Sequence, residues 1–164
     1  MPDVRCGCQP DRMLPCPFCS IIDSKAPATV LARDDSCMAL LDISPVARGH
    51  ALVIPIVHAP TLRELPPEVR QALLSLAHDV LDAIRSSGLP CAGANLLLND
   101  GRAANQHIPH VHVHVVPRAS GDFPRIVRGL LLRALRGHGF QSPRADLEYV
   151  AALIRPHLTR EGRT

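Results

Sequence analysis

An α+β fold is what the order of apolar patterns along this chain predicts: an antiparallel five-stranded sheet with one long helix and short helices packed on it. Three observations carry that expectation. Five short apolar or alternating runs of strand length lie between turn signals. One long stretch with helical spacing falls between the third and fourth of them. The last run, His110-Val-His-Val-His-Val-Val116, alternates with a strict period of two.

Residues 1–15 are polar and proline-containing, and read as a flexible tail. Phe18 to Asp23 reads as a short helix following Cys16-Pro-Phe-Cys19. Thr29 to Arg33 and Cys37 to Ile43 read as two strands joined by the turn-forming Arg33-Asp-Asp-Ser36. Ala51 to Ile56 is continuously apolar, as a central strand requires, and is entered through Gly49-His50. Thr61-Leu-Arg-Glu64 has the spacing of a capping box for one helical turn. Pro66-Pro67 then opens the long helix, whose apolar positions Val69, Leu73, Leu76, Val80 and Ile84 keep helical spacing up to Gly88. Ala94 to Leu98 and His110 to Val116 complete the strands, with Pro117 expected to end the last. A final amphipathic helix carries Leu147, Val150 and Ile154.

A chain of 164 residues with 46% hydrophobic and 20% charged residues suits one domain with a substantial core. Aromatic content is 2%, without tryptophan, which argues against stacking platforms for single-stranded nucleic acid. A net charge of +3 is too mild for a DNA-binding protein but fits small anionic ligands. No apolar run approaches the roughly 18–20 residues of a spanning helix, and the N-terminus lacks an apolar signal core. The expectation is therefore a cytoplasmic protein with neither nucleic-acid nor membrane partners. Six cysteines would allow three disulfides, but Cys-x-x-Cys in such a chain points to metal or redox chemistry.

The chemical centre is the alternating strand. Its valines would face the core and His110, His112 and His114 the opposite side, neighbours about 6–7 Å apart. Three titratable rings in a row suit nucleophilic attack on phosphorus, with neighbours holding the tautomer and donating to developing charge. A metal site using all three rings is the rival reading, and an accidental polar face the bland one. Asn99-Asp-Gly101 reads as a turn before a polar loop with Gln106 and His107, either a phosphate-facing loop or a plain hairpin.

The run His110-Val-His-Val-His-Val-Val116 resembles the signature of the histidine-triad (HIT) superfamily of nucleotide hydrolases and transferases. Phe18-Cys-Ser-Ile-Ile22, Leu41-Asp-Ile-Ser-Pro-Val46, Gly49-His-Ala-Leu-Val-Ile-Pro55 and Asn99-Asp-Gly101 recur in the order that family has them, so the resemblance covers roughly residues 16 to 123. It implies a HIT domain over 16–123, extended by a basic and helical segment over 124–164. It implies His112 as the nucleophile that takes a nucleotidyl group from the α-phosphorus, His114 as a donor to a phosphate oxygen and His50 as their support. Asp42 would accept hydrogen bonds from a ribose, Phe18, Ile21, Leu40 and Ile43 would line a purine pocket, and Asn99 and Gln106 would meet phosphate. Read from the residues alone, Asp42 could equally cap a turn and the aliphatic positions could be plain core. The chain departs from the family where Ser or Thr usually follows the glutamine: here it is His107, preceded by Asn105 in place of glycine. His107 would serve as phosphate or proton donor, or be a surface residue.

In HIT proteins with this Cys-x-x-Cys, the resemblance implies a structural Zn²⁺ on Cys16, Cys19, His58 and His110, with no catalytic metal; a redox pair is the alternative. Cys6 and Cys8 would be tail thiols, Cys37 and Cys91 small core residues. Arg118 could reach a distal phosphate, while the other arginines up to Arg144 read as a solvated face, and Ile126-Val127 with Leu130 to Leu135 could meet a second subunit. The resemblance also implies a homodimer. The function expected is hydrolysis at the α-phosphate of a purine nucleotide conjugate, a phosphoramidate or dinucleoside polyphosphate. A transferase using the same intermediate and a nucleotide-binding module with little turnover are the alternatives.

Overall fold

The computed structural model of the chain describes residues 16–136 and 141–158. The expected tail over 1–15, with Cys6 and Cys8, lies outside the described residues. Five strands form one antiparallel sheet: β1 (Val30–Arg33), β2 (Cys37–Leu41), β3 (Ala51–Pro55), β4 (Gly93–Leu98) and β5 (Val113–Arg118), in the order β1-β2-β3-β5-β4. Among the described residues four α-helices accompany them: α1 (Pro17–Ile22), α2 (Pro67–Ser86), α3 (Phe123–Arg136) and α4 (Arg144–Ile154). The expected α+β architecture is the one observed.

β2 and β3 are buried along their whole length because both faces of the sheet are covered. On one face, Cys37, Ala39, Leu41, Ala51, Val53, Val113 and Val115 pack against Leu73, Leu76, Ala77, Val80 and Ile84 of α2, with Leu147, Val150 and Ile154 of α4 alongside. Each such aliphatic side chain contributes about 1.5–3 kcal/mol by leaving water. Residues one step out of phase point the other way: Met38, Leu40, Leu52 and Ile54 meet Phe18 and Ile22 of α1. The alternation from His110 to Val115 therefore sends Val111, Val113 and Val115 under α2 and the histidines to the α1 face. Among the described residues no helix is long and apolar enough to cross a membrane.

Three local expectations are corrected. Regular pairing in β5 starts at Val113, not His110, because the chain before it bonds elsewhere: Val111 N–H donates to the Ala59 carbonyl and His110 N–H to that of Ile108. Pro117 does not end the strand. It pairs with Ala94 on β4, beyond the last β3 partner of β5, where a residue without an N–H is tolerated as on an edge. The Thr61 hydroxyl bonds the Glu64 carboxylate rather than a backbone amide, and Asp100 caps the turn instead by accepting from Leu62 N–H at 2.9 Å. α3 lies in the basic and helical extension, in a stretch where the sequence pattern delimits no individual element.

Gly49 sets the entry into β3. Its φ of +86° is left-handed, and a Cβ there would lie 3.1 Å from Leu89 Cδ1. Gly49→Ala is expected to cost about 1–2 kcal/mol and to lower the melting temperature by about 2–8 °C. Calorimetry of the two proteins checks this, and an unchanged midpoint would show that the turn relaxes without strain.

Candidate active site

The α1 face of β5 and its approach carries two adjoining groups of side chains. The first is a cage of Cys16, Cys19, His58 and His110, whose ligand atoms all lie within 4.8 Å of one another. Cys16 and Cys19 flank the first turn of α1, and Pro17 between them is tolerated there. His110 Nε2–H donates to the Pro55 carbonyl at 3.0 Å, so its Nδ1 carries a lone pair aimed into the cage. That nitrogen is 3.5 Å from Cys16 Sγ, 3.7 Å from Cys19 Sγ and 3.2 Å from His58 Nδ1, and His58 Nδ1 is 3.3 Å from Cys19 Sγ. A tetrahedral ion with bonds of about 2.0–2.3 Å spaces its ligands about 3.3–3.8 Å apart. The cage fits such an ion in both its spacing and its donor set of two thiols and two imidazoles. Burial holds His110 down to a pKa of about 4 and also lowers His58, so both rings are neutral ligands near pH 7.

His112 stands two residues on. Its Nδ1–H donates to the His110 carbonyl at 2.8 Å, which leaves Nε2 unprotonated. Burial is the first cause of its lowered pKa, opposed by that carbonyl and by the Asp42 charge. Phe18 contacts both rings, its centroid 5.6 Å from that of His110 and 5.3 Å from that of His112, and so fixes their planes. His114 stacks edge-on to His112 at 5.0 Å.

A second chain of bonds reaches His114 from the turn before β3. Val46 N–H points at His50 Nδ1 at 3.4 Å, and His50 Nε2 lies 3.0 Å from His114 Nδ1. With Nδ1 of His50 accepting, its Nε2–H donates to His114 Nδ1, and the proton of His114 then sits on Nε2. Asp42 Oδ2 lies 3.5 Å from the same His50 Nδ1, ready to hold that ring if it gains a proton, while Asp42 Oδ1 accepts from Ser44 N–H at 2.8 Å. Asp42, His50 and His112 are almost wholly buried, and His114 is partly open.

The remaining expected site residues are distributed as follows. Phe18 and Leu40 are buried in the apolar cluster of the α1 face with Ile21 at its edge, whereas Ile43 is 51% exposed. Asn99 is half-buried and His107 exposed, both flanking the loop that returns to β5. Gln106 is buried with its amide spent on that loop: its Oε1 accepts from Gly101 N–H at 2.7 Å and its Nε2 donates to the Pro60 carbonyl at 2.8 Å. Arg118 does not extend toward a distal phosphate. Its guanidinium is bound to Asp122, at 2.6 Å for the shortest contact, and to Asn95 at 2.6 Å. Cys37 is fully buried core and its thiol is pushed up to about 11 by that burial; Cys91 is half-buried and donates to the Gly93 carbonyl. None of the four described cysteines is in a disulfide. Sequence reasoning placed Phe18 in the base pocket but not against His110 and His112, and it missed the Val46 amide and the Asp100 cap, which carry no signal in side-chain spacing.

A family model described as the HIT domain matches residues 23–121, more than half of the chain. The chain belongs to the HIT family. It is 40% identical over 120 residues to an uncharacterised HIT-like protein of Mycobacterium tuberculosis, covering 73% of this chain and 83% of that one. It is 38% identical over 108 residues to an adenosine 5′-monophosphoramidase of Schizosaccharomyces pombe, covering 66% of this chain and 77% of that one. Among solved structures, a Zn-bound histidine triad family protein from Mycobacterium smegmatis superimposes with a TM-score of 0.72 at 36% identity, over 87% of this chain and 92% of that one.

In this HIT protein the cage makes a direct forecast. Metal analysis of protein purified without chelator is expected to find about one Zn²⁺ per chain. Cys19→Ser should reduce that occupancy severely and lower the melting temperature, since a thiolate and the tie between α1 and the approach to β5 are both lost. Undiminished zinc in Cys19→Ser would exclude the cage as its site.

Proposed function

We propose that this HIT protein hydrolyses a purine nucleotide conjugate at its α-phosphate through a covalent nucleotidyl intermediate on His112. The observation that carries this reading is the tautomer of His112. With Nδ1–H committed to the His110 carbonyl, Nε2 offers a lone pair, and burial keeps the ring neutral. Nε2 forms a bond to the α-phosphorus as the bond from phosphorus to the leaving nitrogen or oxygen breaks in line. The leaving group departs with a proton, for which His107 on the exposed loop is a donor and bulk water another. Water then attacks phosphorus, the P–N bond to His112 breaks, and a nucleoside monophosphate is released.

His114, protonated on Nε2 through the Val46–His50 chain, would donate to a non-bridging oxygen as charge builds on it. Asn99 would join it, with Gln106 holding the loop rather than the phosphate. Asp42 would accept from the ribose, and Ile21 and Ile43 offer accessible apolar surface to the base above Phe18 and Leu40. Zn²⁺ on Cys16, Cys19, His58 and His110 would be structural, and the scheme requires no metal at the phosphate. The catalytic unit would span 16–123, with 124–164 as its extension. Reduced thiol ligands suit a cytoplasmic setting. β4 is an edge strand with Leu96 45% and Leu97 50% exposed, a fit surface for a homodimer. The monophosphoramidase name of the fission-yeast relative supports an adenylyl conjugate as substrate.

The test is AMP release from adenosine 5′-phosphoramidate and from diadenosine polyphosphates side by side. His112→Ala should lower turnover on the order of 10⁴-fold or more while still binding AMP, and His114→Gln by roughly 10²–10³-fold. Turnover surviving in His112→Ala would sink the covalent route. AMP binding without release from either substrate would replace the hydrolase with a transferase or a binding module.

A further inference from the structure

α3 is the element that the proposed chemistry leaves unused. It is tethered by one flank: Ile126 is 7% exposed and packs with Ala47 and Val116. A neighbouring strip faces solvent instead. Phe123 is 68%, Val127 44% and Leu131 56% exposed, and these positions recur every four residues, so they form one line along the helix. The helix sequence also holds Arg125, Arg128, Arg133 and Arg136, and no acid occurs from Phe123 through Ala145. Helical spacing sets those arginine positions away from the exposed line, and Arg128 is exposed.

We propose that α3 is a docking surface for an anionic lipid bilayer, lying in the headgroup plane with Phe123, Val127 and Leu131 toward the acyl chains. Charge and shape select this occupant. An apolar stripe on a helix whose charged residues are all arginines matches a surface that is negative outside and apolar beneath. A second copy meeting α3 about a two-fold axis would set two helices of arginines, without an acid between them, against each other. A nucleic-acid backbone would take the arginines but leave a 68%-exposed Phe123 without a role. The expectation of no membrane partner rested on the missing spanning run. A helix of 14 residues, about 21 Å long, lies on a bilayer without one. The inference is independent of the proposed reaction.

Vesicle flotation of the full chain tests it, with phosphatidylcholine vesicles against equal mixtures of phosphatidylcholine and phosphatidylglycerol. At low salt the bound fraction should be at least about tenfold greater on the anionic vesicles, and should fall as salt rises. Val127→Ser/Leu131→Ser should abolish binding and Arg128→Glu should weaken it. Both variants should keep the melting temperature of the wild type, because none of the three side chains is buried. Failure of the wild type to float with anionic vesicles overturns the proposal. So does undiminished binding by the double serine variant, which would reduce the contact to charge alone. If the wild type does not bind vesicles and the serine variant changes its mass at sedimentation equilibrium, the stripe belongs to a contact between copies.

Discussion

His110 is held at both ends of its ring, and much of the site depends on that. Nε2–H is fixed on the Pro55 carbonyl at the end of β3, and Nδ1 faces two thiols and a second imidazole. The ring therefore joins β3, α1 and the approach to β5 in one place. It also fixes the His110 peptide, whose carbonyl is what holds the proton of His112 on Nδ1. A metal in the cage would thus act on the reactive nitrogen through position alone, two residues away and without touching a substrate.

The two-sided sheet supplies the rest of the order. Val113 and Val115 are locked under α2, so the alternating side chains have no freedom to exchange faces without emptying the core. His112 and His114 gain fixed directions from a packing energy that belongs to their neighbours. Phe18 then closes the α1 face against two of the imidazoles, and the low pKa of His112 follows from the water it excludes.

His114 is governed from another direction. The turn at Ala47–Gly49 brings His50 back over β5, and the Val46 amide orients it. Asp42 stands at the end of β2 with one oxygen in its own turn and the other near His50. Its two readings from sequence, a turn cap and a functional carboxylate, are compatible because a carboxylate has two oxygens to give. Gln106 resolves differently, since both ends of its amide are already bonded to backbone.

Much of this was legible in the sequence because it is written in side-chain periods. The spacing Leu73, Leu76, Val80, Ile84 names the buried stripe of α2, and the Val/His alternation names which rings share a face. The motif resemblance added the cage partners His58 and His110, which spacing could not connect to Cys16 and Cys19 across more than thirty residues. What only the tertiary structure decided are the proton positions and the fates of single residues. The tautomers of His110 and His112 rest on the carbonyls of Pro55 and His110, and the orientation of His50 on the amide of Val46. Arg118 turned to Asp122, and Pro117 stayed in its strand because β3 had already begun opposite Val115. Backbone donors and acceptors are the same at every residue and leave no mark in a sequence; which of them a ring meets is settled only when distant segments are brought together.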